Sequence, residues 1–244
     1  MANRPRHHRA FTLIELLVVI AIIALLVAII VPSLDAARRS AKAVVCVTQQ
    51  KYIATAWQFY LGDSQDTFPP LIRNMQWFYG GKEPGLIGPS SWVLPYRPLN
   101  PYVGRTLKSE ACAEQFRCPA DNGIRGLNGN PDVTEGHAAY DYFGNSFMMN
   151  WCLLQKFDPV SLLPVPGPVR LSDVTIHYSR VVVAGDAQWY YSVVDGPYDA
   201  LWHFRDERMN LVFLDGHAKL TQIIHGRDVS DDYSLPPFSV PAGQ

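Results

Sequence analysis

The sequence predicts an α+β protein in which one long N-terminal helix packs on an antiparallel sheet, with long loops rich in aromatic residues and proline. Three observations predict it. Phe11 to Val31 is an almost unbroken apolar run, and apolar residues continue behind it at three- and four-residue steps. Met209 to Ile224 reads as two apolar strand-like runs flanking Asp215-Gly216, the strongest short-range hairpin cue. Between these ends the chain is dense in Pro, Gly, Trp and Tyr and poor in long periodic runs.

Taken in order, the chain begins with a short basic leader carrying Arg4, Arg6 and Arg9. The apolar run behind it, about 21 residues, makes a helix of roughly 31 Å, the thickness of a bilayer's hydrocarbon core. One ionisable side chain, Glu15, lies inside it. A carboxylate there costs about 2.5–3.5 kcal/mol on insertion scales, so it calls for a partner. An ordinary secretory signal has a shorter apolar core and a small-x-small cleavage site, which is missing here. A plain anchor explains the length but gives Glu15 no role.

Phe11-Thr-Leu-Ile-Glu15-Leu16, directly behind the basic leader, resembles the signal of type IV prepilins and type II secretion pseudopilins. The resemblance implies a leader at 1–10, cut between Ala10 and Phe11 on the cytoplasmic face by a prepilin peptidase, with Phe11 then methylated. The family's usual residue before the cut is Gly, where this chain has Ala10. It implies a transmembrane and assembly helix at 11–31. Glu15 would be offset by the α-amino group of a neighbouring subunit's Phe11, because opposite charges attract strongly in low dielectric. Pro32 falls where the family often kinks its helix. The expected partners are the peptidase, other pilin or pseudopilin subunits and the bacterial inner membrane. The chain would cross that membrane once, with its bulk extracytoplasmic, in the periplasm, until assembly into a filament. The leader arginines agree with that orientation by the positive-inside rule, while Arg38, Arg39 and Lys42 oppose it weakly.

From 32 to 62 the helix is expected to continue in amphipathic form. Leu34, Ala37, Ala41, Val44, Val45, Thr48, Tyr52, Ala56 and Phe59 mark the expected packing face, and Gly62-Asp63 the end. The globular part, 63–244, follows. Without leader and membrane segment, roughly 210 residues are left for one core. The net charge of −1 gives no footprint for nucleic acid. Asp66-Thr-Phe-Pro-Pro resembles the loop after the helix in large pilin-like proteins. Trp77-Phe78-Tyr79, Trp92 and Tyr96 sit on loops, where they cover the core or else form a stacking surface for a glycan or a secreted substrate. Asp121-Asn122-Gly123 favours a turn with positive φ. Ala139 to Trp151 and Arg180 to Ala184 read as strands, separated by a proline-rich crossing from Leu162 to Pro168.

Cys46, Cys112, Cys118 and Cys152 allow two disulfides in three connectivities, and Cys112 and Cys118 are close enough in sequence to close a small loop. Zinc is the rival reading, but paired Cys-x-x-Cys spacing is missing. Asn210-Leu-Val-Phe-Leu-Asp215-Gly216-His217 resembles the C-terminal signature of a large bacterial group of prepilin-like proteins, in which a His precedes the Asp-Gly. His203 fills that place, with eleven residues between it and Asp215, a longer gap than the family's. Asp186, His203, Asp206, Asp215 and His217 form a candidate chemical cluster, but no Gly-x-Ser-x-Gly, His-Glu-x-x-His or phosphate loop accompanies them. The chain is therefore not expected to be an enzyme, and no catalytic residue or cofactor is assigned. Calcium is the one ion the family suggests, because some major pseudopilins hold it in a C-terminal loop, yet the regular Asp-x-Asp-x-Asp-Gly loop is missing. The expected function is a structural subunit of a type II secretion pseudopilus or type IV pilus-like filament. An anchored binding module displaying aromatics is the alternative, and an anchored hydrolase a third.

Overall fold

The computed structural model describes residues 13–71, 75–82, 97–103, 114–124, 134, 137–158, 160–161, 163–189, 202–203 and 208–237. A single helix, α1, runs Leu13–Asp63 through Pro32. Among the described residues four antiparallel strands follow: β1 Phe147–Met149, β2 Val182–Asp186, β3 Arg208–Phe213 and β4 Ala218–Gln222, in the spatial order β1-β2-β3-β4. The long N-terminal helix and antiparallel sheet of the expected α+β, pilin-like architecture are both present. One compact unit ends at Ser40 and a second begins at Ala41, so the last part of α1 belongs to the globular unit.

Along Leu13 to Val31 the side chains are exposed, Glu15 included. In the globular unit α1 buries Ala43, Cys46, Gln50, Ile53, Ala54, Ala56, Trp57, Tyr60 and Leu61. This corrects the expected packing face. Of the residues assigned to it, Ala56 is buried, while Val44, Val45, Tyr52 and Phe59 are exposed. The three- and four-residue rhythm was right but its phase was wrong. The buried stripe includes a cysteine and a glutamine, whose burial depends on partners far along the chain and leaves no apolar signature.

β3 alternates between the two sheet faces. Met209, Leu211 and Phe213 join Val182, Trp189, Ile223, Tyr233 and Leu235 on one side. Val212 and Leu214 face the cluster built on α1 and the aromatic loops. In β2 a bulge between Val182 and Ala184 puts Val183 and Ala184 into that same cluster. Alternation then resumes: Gly185 lies against Leu211 and Trp189, where a Cβ would come within 2.5 Å of the Leu211 side chain. Asp186 consequently points towards α1.

Three local expectations change. The Asp-Gly hairpin cue belongs to the type I′ turn, which would put positive φ at both Asp215 and Gly216. Instead Leu214, Asp215 and Gly216 form a three-residue loop, in which Gly216 alone has positive φ, +91°. Gly216 N donates to Phe213 O and Phe213 N to His217 O, each at 2.9 Å, which fits a type I turn closed by a bulge. Ala139 to Trp151 is not one strand. Ala139–Phe143 is a helical turn closed by Gly144 at φ +79°, and only Phe147–Met149 pairs as strand. Its start is held by the Asp121 carboxylate, which accepts from the N–H groups of Ala139 and Tyr140 at 2.8 Å. No local pattern encodes such a long-range cap. β2 starts and ends two residues later than Arg180 to Ala184, taking in Gly185 and Asp186.

Candidate functional site

Ala10 and Phe11 lie outside the described residues; Glu15 is in the first turn of α1. α1 is the one helix among the described residues long and apolar enough to cross a membrane.

In the globular unit, the buried stripe of α1 meets the loop after Phe116 and the end of β2. Cys46 and Cys118 are joined, with Sγ–Sγ 2.05 Å and Cα–Cα 5.3 Å. The small Cys112–Cys118 loop therefore does not form; Cys112 lies outside the described residues. Cys152 is a free, half-buried thiol whose pKa burial raises. His203 Nε2 lies 3.2 Å from Cys118 Sγ and 3.9 Å from Asp186 Oδ2. Ligand atoms of Cys46, Cys118, Asp186 and His203 all fall within 4.8 Å of one another, and all four residues are buried. Among the described residues this is the one group of three or more such side chains that converges on a point.

Each arm has its own support. Asp186 Oδ1 accepts from Gln50 Nε2 at 2.8 Å and Oδ2 from Asn210 N at 2.9 Å. Cys118 N donates to Ser146 Oγ at 3.0 Å, and Ser146 Oγ donates to Asp121 Oδ2 at 2.6 Å. Asp121 also accepts from Gly123 N at 3.0 Å, setting the Gly123 turn at φ +91° that the sequence indicates. Trp202 Nε1 donates to Gly123 O at 3.0 Å, which holds the Trp202-His203 segment against the same loop. Ala120 N lies 3.4 Å from Cys118 Sγ, a backbone donor aimed at the sulfur.

Burial governs the electrostatics. It pushes the Asp186 carboxyl up to about 7 against the hydrogen bonds from Asn210 and Gln50. Burial likewise lowers His203 to about 4, with Lys42 acting in the same direction. A neutral imidazole and a weakly acidic carboxyl thus sit beside two sulfurs.

The structure brings together only part of the expected cluster. Asp186 and His203, both members of that cluster, meet. Asp215 and His217 form a separate pair at the β3–β4 tip, Nδ1 to Oδ1 2.6 Å, both partly exposed. That tip begins where β3 ends, about 10 Å along the strand from Asn210. Asp206 lies outside the described residues. Gln50 and Asn210 carried no sequence signal as site residues, since each is defined by a contact more than a hundred or about two dozen residues away. Trp77, Phe78 and Tyr79 are buried in the core, as their core-covering reading expected. Trp77 stacks on Phe143 with centroids 4.2 Å apart. Trp92 and Tyr96 lie outside the described residues.

The fold and its N-terminus thus define a class: an α+β protein with a membrane-anchoring helix. Residues 5–31 match the prokaryotic N-terminal methylation motif, and with the helix behind it the chain fits a type IV prepilin-like protein. The motif implies processing by a peptidase and assembly with other pilin subunits, and the proteins that carry it as pilins are structural. No curated protein and no solved structure matches the chain.

Proposed function

We propose that this chain is a minor or specialised structural subunit of a type II secretion pseudopilus or a type IV pilus-like filament, with its globular part on the outer side of the bacterial inner membrane. The observation that carries the reading is the methylation motif at 5–31, heading a helix whose apolar side chains from Leu13 to Val31 are all exposed. A surface of that kind needs lipid or other helices around it. Once the leader is removed, subunits stack through these helices, and Glu15 sets their stagger against the Phe11 amine of a neighbour. The exposed stripe Val45, Tyr52 and Phe59, spaced by seven residues, extends the packing surface beyond the bilayer. The size of the globular part favours a specialised position over the bulk subunit. The family's structural role supports a non-catalytic reading. The buried Trp77, Phe78 and Tyr79 count against an aromatic glycan-binding face.

Intact mass and N-terminal sequencing of the protein from native membranes test this. The expected chain begins at methylated Phe11. A chain still carrying Met1 to Ala10 would overturn assembly as the function and leave a permanently anchored domain.

A further inference from the structure

We propose that Cys46 and Cys118 in their thiol form, together with His203 and Asp186, make a tetrahedral binding site for zinc. The donor set is two sulfurs, one imidazole nitrogen and one carboxylate oxygen, a borderline-soft combination that suits zinc and not calcium or magnesium. The four come from α1, the Cys118 loop, β2 and the Trp202-His203 segment, so an ion there would tie four separate parts of the globular unit.

The geometry is close to what zinc needs. With Zn–S about 2.3 Å and Zn–N about 2.0 Å, the tetrahedral S···N edge is about 3.5 Å and the S···S edge about 3.8 Å. The observed Cys118 Sγ to His203 Nε2 distance is 3.2 Å, and no pair of ligand atoms exceeds 4.8 Å. The two sulfurs must separate once their bond is absent, and His203 Nε2 and Asp186 Oδ2 must close from 3.9 Å to the tetrahedral edge of about 3.4 Å, both within reach of side-chain rotation. The surroundings are those of a metal centre. Gln50 and Asn210 fix the carboxylate from behind, and Ala120 N points at Cys118 Sγ, as outer partners orient ligands. Among the described residues no Lys or Arg nitrogen lies within 4.0 Å of Asp186 to supply the positive charge instead.

Cysteine enters the chain as a thiol, so loading needs no reductant: two thiols and one Zn²⁺ give a zinc dithiolate and two released protons. The disulfide form is the same pair after losing two electrons and two protons. In vitro a phosphine returns it, the phosphine and one water becoming phosphine oxide while the disulfide takes up two hydrogens. The site is independent of whether the chain enters a filament.

The test uses the full chain in detergent, reduced with a phosphine, dialysed free of metal and titrated with Co²⁺ as a spectroscopic stand-in. The expected result is one ion per chain, tetrahedral visible bands and a thiolate-to-cobalt charge-transfer band, bleached by equimolar Zn²⁺. Zinc should protect Cys46 and Cys118, and not Cys152, from alkylation read by mass spectrometry. His203→Gln and Asp186→Asn should each weaken binding by more than about tenfold, the lower end of what even an outer-shell partner costs. Cys152→Ser should change nothing. The alkylation readout needs no variant, so a misfolded substitution cannot obscure the outcome. Absence of the charge-transfer band, or its survival in the Cys46→Ser, Cys118→Ser double variant, overturns the proposal.

Discussion

The two faces of α1 beyond Ser40 share one helix and a similar apolar content, yet they meet opposite surroundings. One face carries Cys46, Gln50, Ile53, Trp57 and Tyr60 into the core; the other leaves Val45, Tyr52 and Phe59 in the open. Hydrophobicity does not separate them, since Phe59 is as apolar as anything on the buried side. Complementarity does. Trp57 finds Tyr60, Phe68 and Tyr79 at centroid distances of 5.5, 5.8 and 5.7 Å, Gln50 finds Asp186 and Cys46 finds Cys118. Among the described residues the exposed stripe has no comparable set of partners within its own globular unit, which agrees with the subunit contact proposed above.

Three sets of substitutions would break or sharpen this contrast. The largest loss is expected from Trp57→Ala, about 3–5 kcal/mol, because it empties a fully buried aromatic site. Denaturant unfolding of the detergent-solubilised chain measures it, and a loss under 1 kcal/mol would mean this face is not the packing face. Next comes Gln50→Leu. It strips one donor from the buried Asp186 carboxyl at nearly constant volume, for an expected cost of about 1–3 kcal/mol. Following Gln50→Leu with Asp186→Asn in the same chain should recover part of that loss. Smallest for folding is the pair Tyr52→Ser and Phe59→Ser, each expected within about 0.5 kcal/mol of the parent. In cells these two should nonetheless lower recovery of the chain in sheared filaments or cross-linked oligomers. Normal assembly would show that the stripe is not a subunit contact.

How much of this the sequence reveals depends on the range over which each feature is determined. The end of α1 is local, written in Gly62-Asp63, and it was legible to within about a residue. The β3–β4 hairpin was equally plain, though its turn type depended on the number of loop residues rather than on the Asp-Gly pair alone. The phase of α1's packing face was not legible, because Cys46 and Gln50 are buried by residues 72 and 136 positions away. The helical turn at Ala139–Phe143 was missed for the same reason, its cap being Asp121. At the site, His203 stood out through its resemblance to a signature, and Cys46 and Cys118 through cysteine arithmetic. Asp186 was already grouped with His203, but its meeting with the two cysteines was not legible, since its inward direction follows from a bulge three residues earlier.

The Cys46–Cys118 bond sits near the start of the stretch of α1 that belongs to the globular unit. A subunit drawn along its N-terminal helix delivers the load to that unit through residues just past Ser40. Without a covalent tie, such a load would peel α1 away one buried side chain at a time, starting at Ala43 and reaching Leu61 last. The disulfide stops that zipper at its first tooth. Tension entering at Cys46 passes directly to the Cys118 loop and, through Ser146 and Asp121, to the edge of β1. The linkage then behaves as a strain relief on a cable.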